Sequence, residues 1–500
     1  MRNRLKRRLY SLLAACSVAA SLAVAAPRPV LARDVASVDV ETYAPSAAPR
    51  AVLMTCATSA DARGFAWQTD ASVTEGEVRI LKGTHGAAEA ALFEREGTRF
   101  AGERTTVDDP RLACHRVLAT GLKPSVYSYR LGGGGHYVYG TFAVRRADDA
   151  FVAVNLNDAQ TKDATKLVQW ENTAAVAART AGGADKIDAV LFGGDFYDGR
   201  FQKAKSKVLD GFGKYVQWGI AADAATPHFP GVPWAMASGN HDWKIHADCT
   251  AVPRVKGTPA GCLSFDRGNV HVAVLPFAGG KWNAKYERIL DWLDADLAAA
   301  GRSGRTGWTV VSLHWGPYTT GDHGLLDATT NLVCRFAPVC ARRRVDLVLQ
   351  AHDHTFSKTL PYRWAGRGWT TEEGDDAAVN LRPRQADGWD VDPEGTYYVS
   401  CGCAGHRVGE NAKYASAKGK KSYRNRLYKV VTGKLALDSR HGRRGDDASA
   451  DLPHQMFGVL HVKGGELRYA FYVAEADGTA TAYDELKVRK TVGLNKKKGK

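Results

Sequence analysis

The chain reads as an all-β sandwich followed by an α/β domain of layered sheets flanked by helices. Three observations carry that reading. Residues 45–147 alternate apolar and polar residues in short runs parted by Gly, Pro and Asp. From residue 150 the runs become continuously apolar and are separated by amphipathic helical stretches, the pattern of strands covered on both faces. Polar motifs in this second part come directly after the apolar runs, where α/β sheets collect their ligand sites. With 500 residues, 44% of them hydrophobic and 24% charged, the chain exceeds one typical domain and can bury a large core, which excludes a disordered class.

Residues 1–32 read as an export signal. The charged stretch RNRLKRR precedes an apolar run from Leu9 to Ala26, and Val30-Leu-Ala32 offers small residues for cleavage. Arg7-Arg8 with Leu9-Tyr10 resembles a twin-arginine signal, so the expected location is secreted or periplasmic. Leu13-Ala-Ala-Cys16 resembles a lipobox that would anchor Cys16 instead. The apolar run continues past Cys16, which favours cleavage near Ala32. No later stretch is long enough to cross a membrane.

In the first domain, GFAWQT, EVRIL, CHRVLA, VYSYRL and YVYGTFAV are the expected strands, and Gly132–Gly135 a hairpin tip. Leu122-Lys-Pro124-Ser-Val-Tyr127 resembles the late-strand corner of a fibronectin-type-III sandwich, whose Tyr hydroxyl bonds back to the backbone. The spacing is one residue shorter than usual there.

The second domain is expected over 150–488. Its strands are FVAVNLND, DAVLFGGD, WAMASGNH, VHVAVLPF, TVVSLHW and VDLVLQAH. Helices are expected over KLVQWENTAAVAART, 201–223 and 283–299. Residues 364–395 and 406–450 are polar and charged and read as surface insertions. The stretch from Met456 alternates again as closing hairpin strands, and 489–500 form a basic tail.

Nine cysteines become eight without Cys16, and an even number in an exported chain suggests disulfides. Proximity suggests Cys56–Cys114, Cys249–Cys262 and Cys334–Cys340, with the partners of Cys401 and Cys403 open. The spacings fit no structural-zinc pattern. The formal charge of +15 comes partly from six Arg and Lys within residues 1–32 and four Lys within the last five residues. No basic groove interleaved with aromatics is visible, so no specific nucleic-acid partner is expected. Weak contact of the lysine tail with anionic cell-surface polymers is the alternative.

The chemistry lies in five motifs: Asp158-Ala-Gln160, Gly194-Asp195-Phe-Tyr-Asp198, Gly239-Asn240-His241-Asp242, His314 in VSLHWGPY, and His352-Asp-His354. Singly, each has a plain explanation as a helix cap, a turn or a satisfied polar residue. Five in order, each after an apolar strand, point to a dinuclear metal site. A carboxylate such as Asp195 bridges two metals about 3.5 Å apart, while Asn240 offers an amide oxygen and His314, His352 and His354 offer imidazole nitrogen. Nitrogen and oxygen donors without thiolate suit Fe, Mn or Zn. The expected reaction is hydrolysis of a small phosphorylated substrate by in-line attack of a metal-bridging hydroxide. His241 is the expected proton donor to the leaving group and Asp198 its orienting partner.

These motifs resemble the calcineurin-like metallophosphoesterase superfamily. With the N-terminal sandwich and the stretch SFDRGNVHVAVL, residues 264–275, the chain resembles the bacterial branch of purple-acid-phosphatase-like enzymes over roughly residues 45–360 and the closing hairpin. The resemblance implies that Asp158, Asp195 and His354 hold one metal and Asp195, Asn240, His314 and His352 the other. The sequence departs from it in three places. Asp198 stands where purple enzymes carry a Tyr ligand, so their charge-transfer colour is not expected. That spacing resembles protein-phosphatase-like members instead, which places Arg200 near phosphate. Gln160 stands where many relatives have His and is expected as a metal ligand. Ala351 replaces the usual Gly before the last motif. His323 in YTTGDHG is a further substrate-binding candidate, with His246, Tyr318 and His406 weaker ones.

The first expectation is a phosphomonoesterase. A phosphodiesterase acting on nucleotides or lipid head groups is the rival of the same class. A non-catalytic glycan-binding surface protein is the rival of another class, and the complete donor set argues against it.

Overall fold

The computed structural model describes residues 38–39, 42–146, 150–160, 167–198, 213–242, 245–252, 256–319, 323, 327–364, 377–379, 387–405 and 455–491. The export segment with Cys16, Arg200, His406, the insertion 406–450, most of 364–395 and the tail beyond residue 491 lie outside them.

The N-terminal strands are β1 (Arg50–Thr55), β2 (Arg63–Asp70), β3 (Glu77–Lys82), β4 (Thr98–Ala101), β5 (Glu103–Thr106), β6 (Leu112–Ala119), β7 (Ser125–Gly133) and β8 (His136–Val144). A short helix, α1 (Ala90–Glu96), interrupts a region expected to be all-β; it buries Phe93. Strands β4-β3-β7-β8 form one antiparallel sheet, and β5-β6-β2-β1 pair in the other. Phe65, Trp67, Val78, Ile80, Val117, Leu131 and Phe142 share one core. The Tyr127 hydroxyl donates to the Lys123 carbonyl at 2.7 Å, the back-bond expected of that corner. The two parts of the chain nevertheless share a sheet. The amide of Cys56, just after β1, donates to the Trp234 carbonyl, and Thr55 lies opposite Trp234 in a parallel pairing.

Beyond residue 150 come β9 (Ala150–Leu156), β10 (Ala189–Phe192), β11 (Trp234–Met236), β12 (Leu263–Arg267), β13 (Val270–Leu275), β14 (Trp308–Trp315), β15 (Leu347–Ala351), β16 (Phe356–Lys358), β17 (Tyr362–Trp364), β18 (Ala377–Val379), β19 (Asp390–Val391), β20 (Tyr397–Cys401), β21 (Gln455–Lys463), β22 (Glu466–Ala474) and β23 (Ala480–Arg489). The helices are α2 (Leu167–Thr180), α3 (Lys214–Ala225), α4 (His246–Cys249), α5 (Ala284–Arg302), α6 (Asp327–Asn331) and α7 (Ala337–Arg343). Among the described residues the larger sheet runs β19-β23-β22-β21-β9-β10-β11-β1-β2-β6-β5, and the smaller β12-β13-β14-β15-β20-β16.

Alternating side chains explain the layering. In β10, Ala189 and Leu191 enter the core between the two sheets, while Val190 and Phe192 enter the outer core under α2 and α3. In β13, Val270, Val272 and Val274 face the same central core, while Ala273 and Leu275 face α5. Strands apolar on both faces thus stack as helices, sheet, sheet, helices. Each fully buried large apolar side chain contributes roughly 1.5–3 kcal/mol. Helix α5 starts where Asn283 accepts the Lys285 amide at 2.9 Å, and buries Ile289, Leu290, Leu293 and Leu297 at helical spacing.

The expected disulfides are corrected. All eight described cysteines are free thiols. Cys56 lies in the central core, Cys114 and Cys249 in the outer core of the larger sheet, and Cys262 in the outer core of the smaller one, so sheet backbone separates Cys56 from Cys114 and Cys249 from Cys262. Cys340 is buried while Cys334, six residues earlier in continuous helical structure, is partly exposed on another face.

Candidate metal centre

Every motif lies at the C-terminal end of a strand, on the edge shared by both sheets. Asp158 follows β9, Asp195 follows β10 and Asn240 follows β11, all in the larger sheet; His314 is near the end of β14, and His352 follows β15 directly, in the smaller. Backbone bonds join the first two loops: the Asp158 amide donates to the Gly194 carbonyl at 3.1 Å and the Gln160 amide to the Asp195 carbonyl at 3.4 Å. The pairing of β14 with β15 shifts between Ser312 and Trp315, a bulge that re-aims His314.

The backbone is strained where donors converge. Seven described non-glycine residues have positive φ, and Asp158, Asp195, His352 and His354 are four of them. Such conformations persist where surrounding structure holds them, and they concentrate at functional sites. Space is equally tight. A Cβ on Gly194, itself at φ +100°, would meet the Gly239 amide and His314 Nδ1 at 2.8 Å, and one on Gly239 would strike Asp195 Oδ1. The glycines of these motifs let three loops approach one carboxylate.

Four donor atoms meet at the centre. His314 Nε2 lies 3.0 Å from Asn240 Oδ1, 3.1 Å from His352 Nδ1 and 3.3 Å from Asp195 Oδ2. The other ring nitrogen of His314, Nδ1, is 3.0 Å from the Gly193 carbonyl, and only an N–H can serve that oxygen. In the neutral tautomer Nε2 is therefore a bare lone pair facing an amide oxygen, a carboxylate and another imidazole. Acceptors facing acceptors repel unless a cation lies among them. This donor set fits a metal ion.

Beside it, Asp158 Oδ1 lies 3.6 Å from His354 Nε2 and 3.9 Å from His314 Nδ1, and its carboxylate accepts the His352 amide at 3.1 Å. Buried His352 Nε2 has no hydrogen-bond partner among the described residues. The ring stacks on Trp315 with centroids 3.7 Å apart.

The protonation pattern shows the same demand for positive charge. Burial raises the Asp158 carboxyl well above its ordinary range, with the Asp195 charge adding to it. Burial pushes Asp195 the same way, but His314 and His241 hold it below its ordinary range. Burial opposes a charge on His314, yet Asp195 and Asp158 push it up to about 9. A proton there does for the carboxylates what a cation would. Burial and the neighbouring imidazoles hold His352 well below its ordinary range, so it is neutral, the form that ligates.

The remaining candidates divide. His241 Nδ1 lies 3.3 Å from Asp198 Oδ1 and its Nε2 3.7 Å from Asp195 Oδ2, so ring and carboxylate pair as expected. Gln160, expected as a metal ligand, meets the centre through its Nε2, which hydrogen-bonds Asp195 Oδ2 and steadies that carboxylate. His323 reaches the centre's rim, its ring 4.2 Å from that of His352 and its Nδ1 hydrogen-bonded to Asp353 Oδ1. His246 is a core residue, its Nε2 on the Met236 carbonyl at 3.1 Å, and burial lowers it to about 4. Tyr318 is buried among Tyr362 and Tyr398. Tyr197 packs against Trp218 in the core.

Two acids escaped the sequence reading, although each stands inside a motif. Asp242 accepts the Gly239 amide at 2.6 Å and the Phe196 amide at 2.8 Å, clamping the loops of Asp195 and Asn240 together. Burial, with the Asp195 charge, raises its carboxyl to about 7. Asp353, between the two histidines, accepts the His323 amide at 3.2 Å. The signal for Asp242 was its place as fourth residue of Gly-Asn-His-Asp.

Comparison with known proteins agrees with this geometry. Residues 158–356 match the family model for calcineurin-like phosphoesterase. Two uncharacterized proteins from Mycobacterium tuberculosis strains are each 26% identical over 160 residues, covering 27% of this chain and 29% of theirs. The chain thus matches less than a third of those relatives' length. A purple acid phosphatase isolated from yellow lupin (Lupinus luteus) seeds superposes with a TM-score of 0.61 at 14% identity, covering 90% of this chain and 76% of that one, which establishes likeness of fold.

Proposed function

We propose that this chain, whose residues 158–356 form a calcineurin-like phosphoesterase domain, is an exported phosphomonoesterase with a dinuclear metal centre. The observation that carries the proposal is the convergence of Asp195 Oδ2, Asn240 Oδ1 and His352 Nδ1 within 3.3 Å of His314 Nε2, a cluster of oxygen and imidazole donors with the spacing a cation needs. Those four residues would hold one cation, and Asp158, Asp195 and His354 the second. When bound, such a pair neutralises phosphate charge and supplies a deprotonated water as nucleophile.

The chain's own groups do the rest. Asp198 Oδ1, 3.3 Å from Nδ1 of His241, orients the ring and leaves Nε2 turned toward Asp195, the position from which a proton would reach a leaving-group oxygen. Gln160 and the His241 amide hydrogen-bond the two oxygens of Asp195 and keep that carboxylate from rotating. His323, steadied by Asp353, is the proposed phosphate contact at the rim, and Arg200 is proposed there by sequence alone. The N-terminal strands are proposed as a fibronectin-III-like module that steadies the catalytic part, and residues 1–32 as its export signal.

The test compares p-nitrophenyl phosphate with bis-p-nitrophenyl phosphate as substrates of metal-analysed protein. Turnover of the monoester, lost in Asn240→Ala and His241→Ala, is the expected result. Preference for the diester would reassign the substrate class, and absence of turnover of both with metals bound would remove the catalytic reading.

A further inference from the structure

The thiols of Cys114 and Cys249 are buried together far apart in sequence, their sulfurs 3.9 Å apart. Cys114 lies on β6 opposite Gln68 of β2. Cys249 ends α4, the single turn that follows the Asn240–His241 loop. Both backbones are held in place around the pair. The Gln68 amide reaches the Tyr215 carbonyl at 2.9 Å and Cys249 Sγ at 3.6 Å. Two residues along β6 from Cys114, Arg116 donates to the Ala247 carbonyl at 2.5 Å, bridging strand and turn. Helix α4 is in turn tied to the catalytic loop, because the Ile245 and His246 amides donate to the Asp242 carbonyl at 3.0 and 2.8 Å.

We propose that Cys114 and Cys249 form a disulfide when the chain meets an oxidant, locking the N-terminal strand β6 to the turn beneath the catalytic loop. The sulfurs need to approach by about 2 Å to reach bonding distance, within the reach of side-chain rotation. Each thiol gives up one proton and one electron as the S–S bond forms. An incoming disulfide such as oxidised glutathione accepts both electrons and both protons and leaves as two thiols. The bond closes a long loop, the case in which a cross-link most restricts the unfolded chain. Its formation is independent of any phosphate-ester chemistry.

The experiment folds the full chain in a glutathione redox buffer, alkylates it without reduction and maps the peptides by mass. The expected result is one linked pair containing Cys114 and Cys249, about 2 mass units lighter than the two reduced peptides together and absent after reduction. Reduction should also lower the Tm of the wild-type chain by roughly 3–6 °C and leave Cys114→Ser and Cys249→Ser unmoved. If those variants fail to fold, the wild-type map and its Tm shift decide the matter alone. Both thiols alkylated separately, capped with glutathione or joined to other cysteines would overturn the proposal, as would a wild-type Tm indifferent to reduction.

Discussion

The two sheets bring different chemistry to the same edge. Loops of the larger sheet supply oxygen: Asp158, Asp195 and Asn240, with His241 beside them. The smaller supplies imidazole: His314, His352 and His354. Their supports differ as well. The oxygen loops are joined by backbone bonds and by the two-pronged clamp of Asp242. Among the described residues, the supports under the imidazoles are the Gly193 carbonyl below His314 and the Trp315 ring below His352. The oxygen half is thus tied together loop to loop by backbone bonds and a carboxylate clamp, and the imidazole half is positioned by a carbonyl and a stacked ring. Loss of an oxygen donor should cost more than loss of support on the other side.

The largest effect is expected at the shared carboxylate. Asp195→Ala should lower kcat/KM by at least about 10³-fold and reduce metal content, read by kinetics and elemental analysis. His241→Ala should cost about 10²–10³-fold in kcat with metal content retained, because His241 is proposed as the proton donor and not as a ligand. Asp198→Asn should cost less, roughly tenfold, because it disturbs only the ring's orientation. Equal metal loss in both His241 and Asp195 variants would erase the distinction between donor and acid.

Next in size is the clamp. Asp242→Ala leaves two buried amides without an acceptor, at about 1–3 kcal/mol each, and should lower denaturant stability by roughly 2–6 kcal/mol. A change below about 0.5 kcal/mol would show that the oxygen loops hold themselves.

The smallest effect is a pH dependence in the smaller sheet. His271 on β13 lies between Asp266 Oδ1 at 2.7 Å and Asp296 Oδ2 at 2.9 Å. Burial opposes its charge, but the two carboxylates raise it to about 9. A folded-state value above the unfolded one means the contribution is complete below about 6.5 and is lost as pH rises through about 9. Because Asp266 is half exposed, the effect is discounted to about 1–2 kcal/mol. Wild-type Tm should fall over that window and His271→Gln should flatten the fall.

Much of this was legible in the sequence, for a physical reason. Strands such as DAVLF and VHVAV are apolar on both faces, and a donor motif after each is a local pattern that needs no knowledge of pairing. Asp158, Asp195, Asn240, His314, His352 and His354 were singled out that way, and the fold brings their loops to one edge. What depended on three-dimensional neighbours was not. The role of Gln160 turned on which end of its amide meets Asp195. The clamp of Asp242 appears only when two loops are brought together. Cysteine proximity along the chain misled, because Cys56, Cys114, Cys249 and Cys262 are distributed over three cores separated by sheet backbone. The pairing of β1 with β11 likewise joins residues 179 positions apart, beyond any local signal.

The central claim is that both halves of the edge together hold two metal ions. The most direct measurement is the metal-to-protein ratio of the purified wild-type chain beside Asp158→Ala and Asn240→Ala. About two ions per chain, falling to about one in each variant, is the predicted result. A wild-type chain that takes up no metal, or variants that keep the full complement, would contradict it.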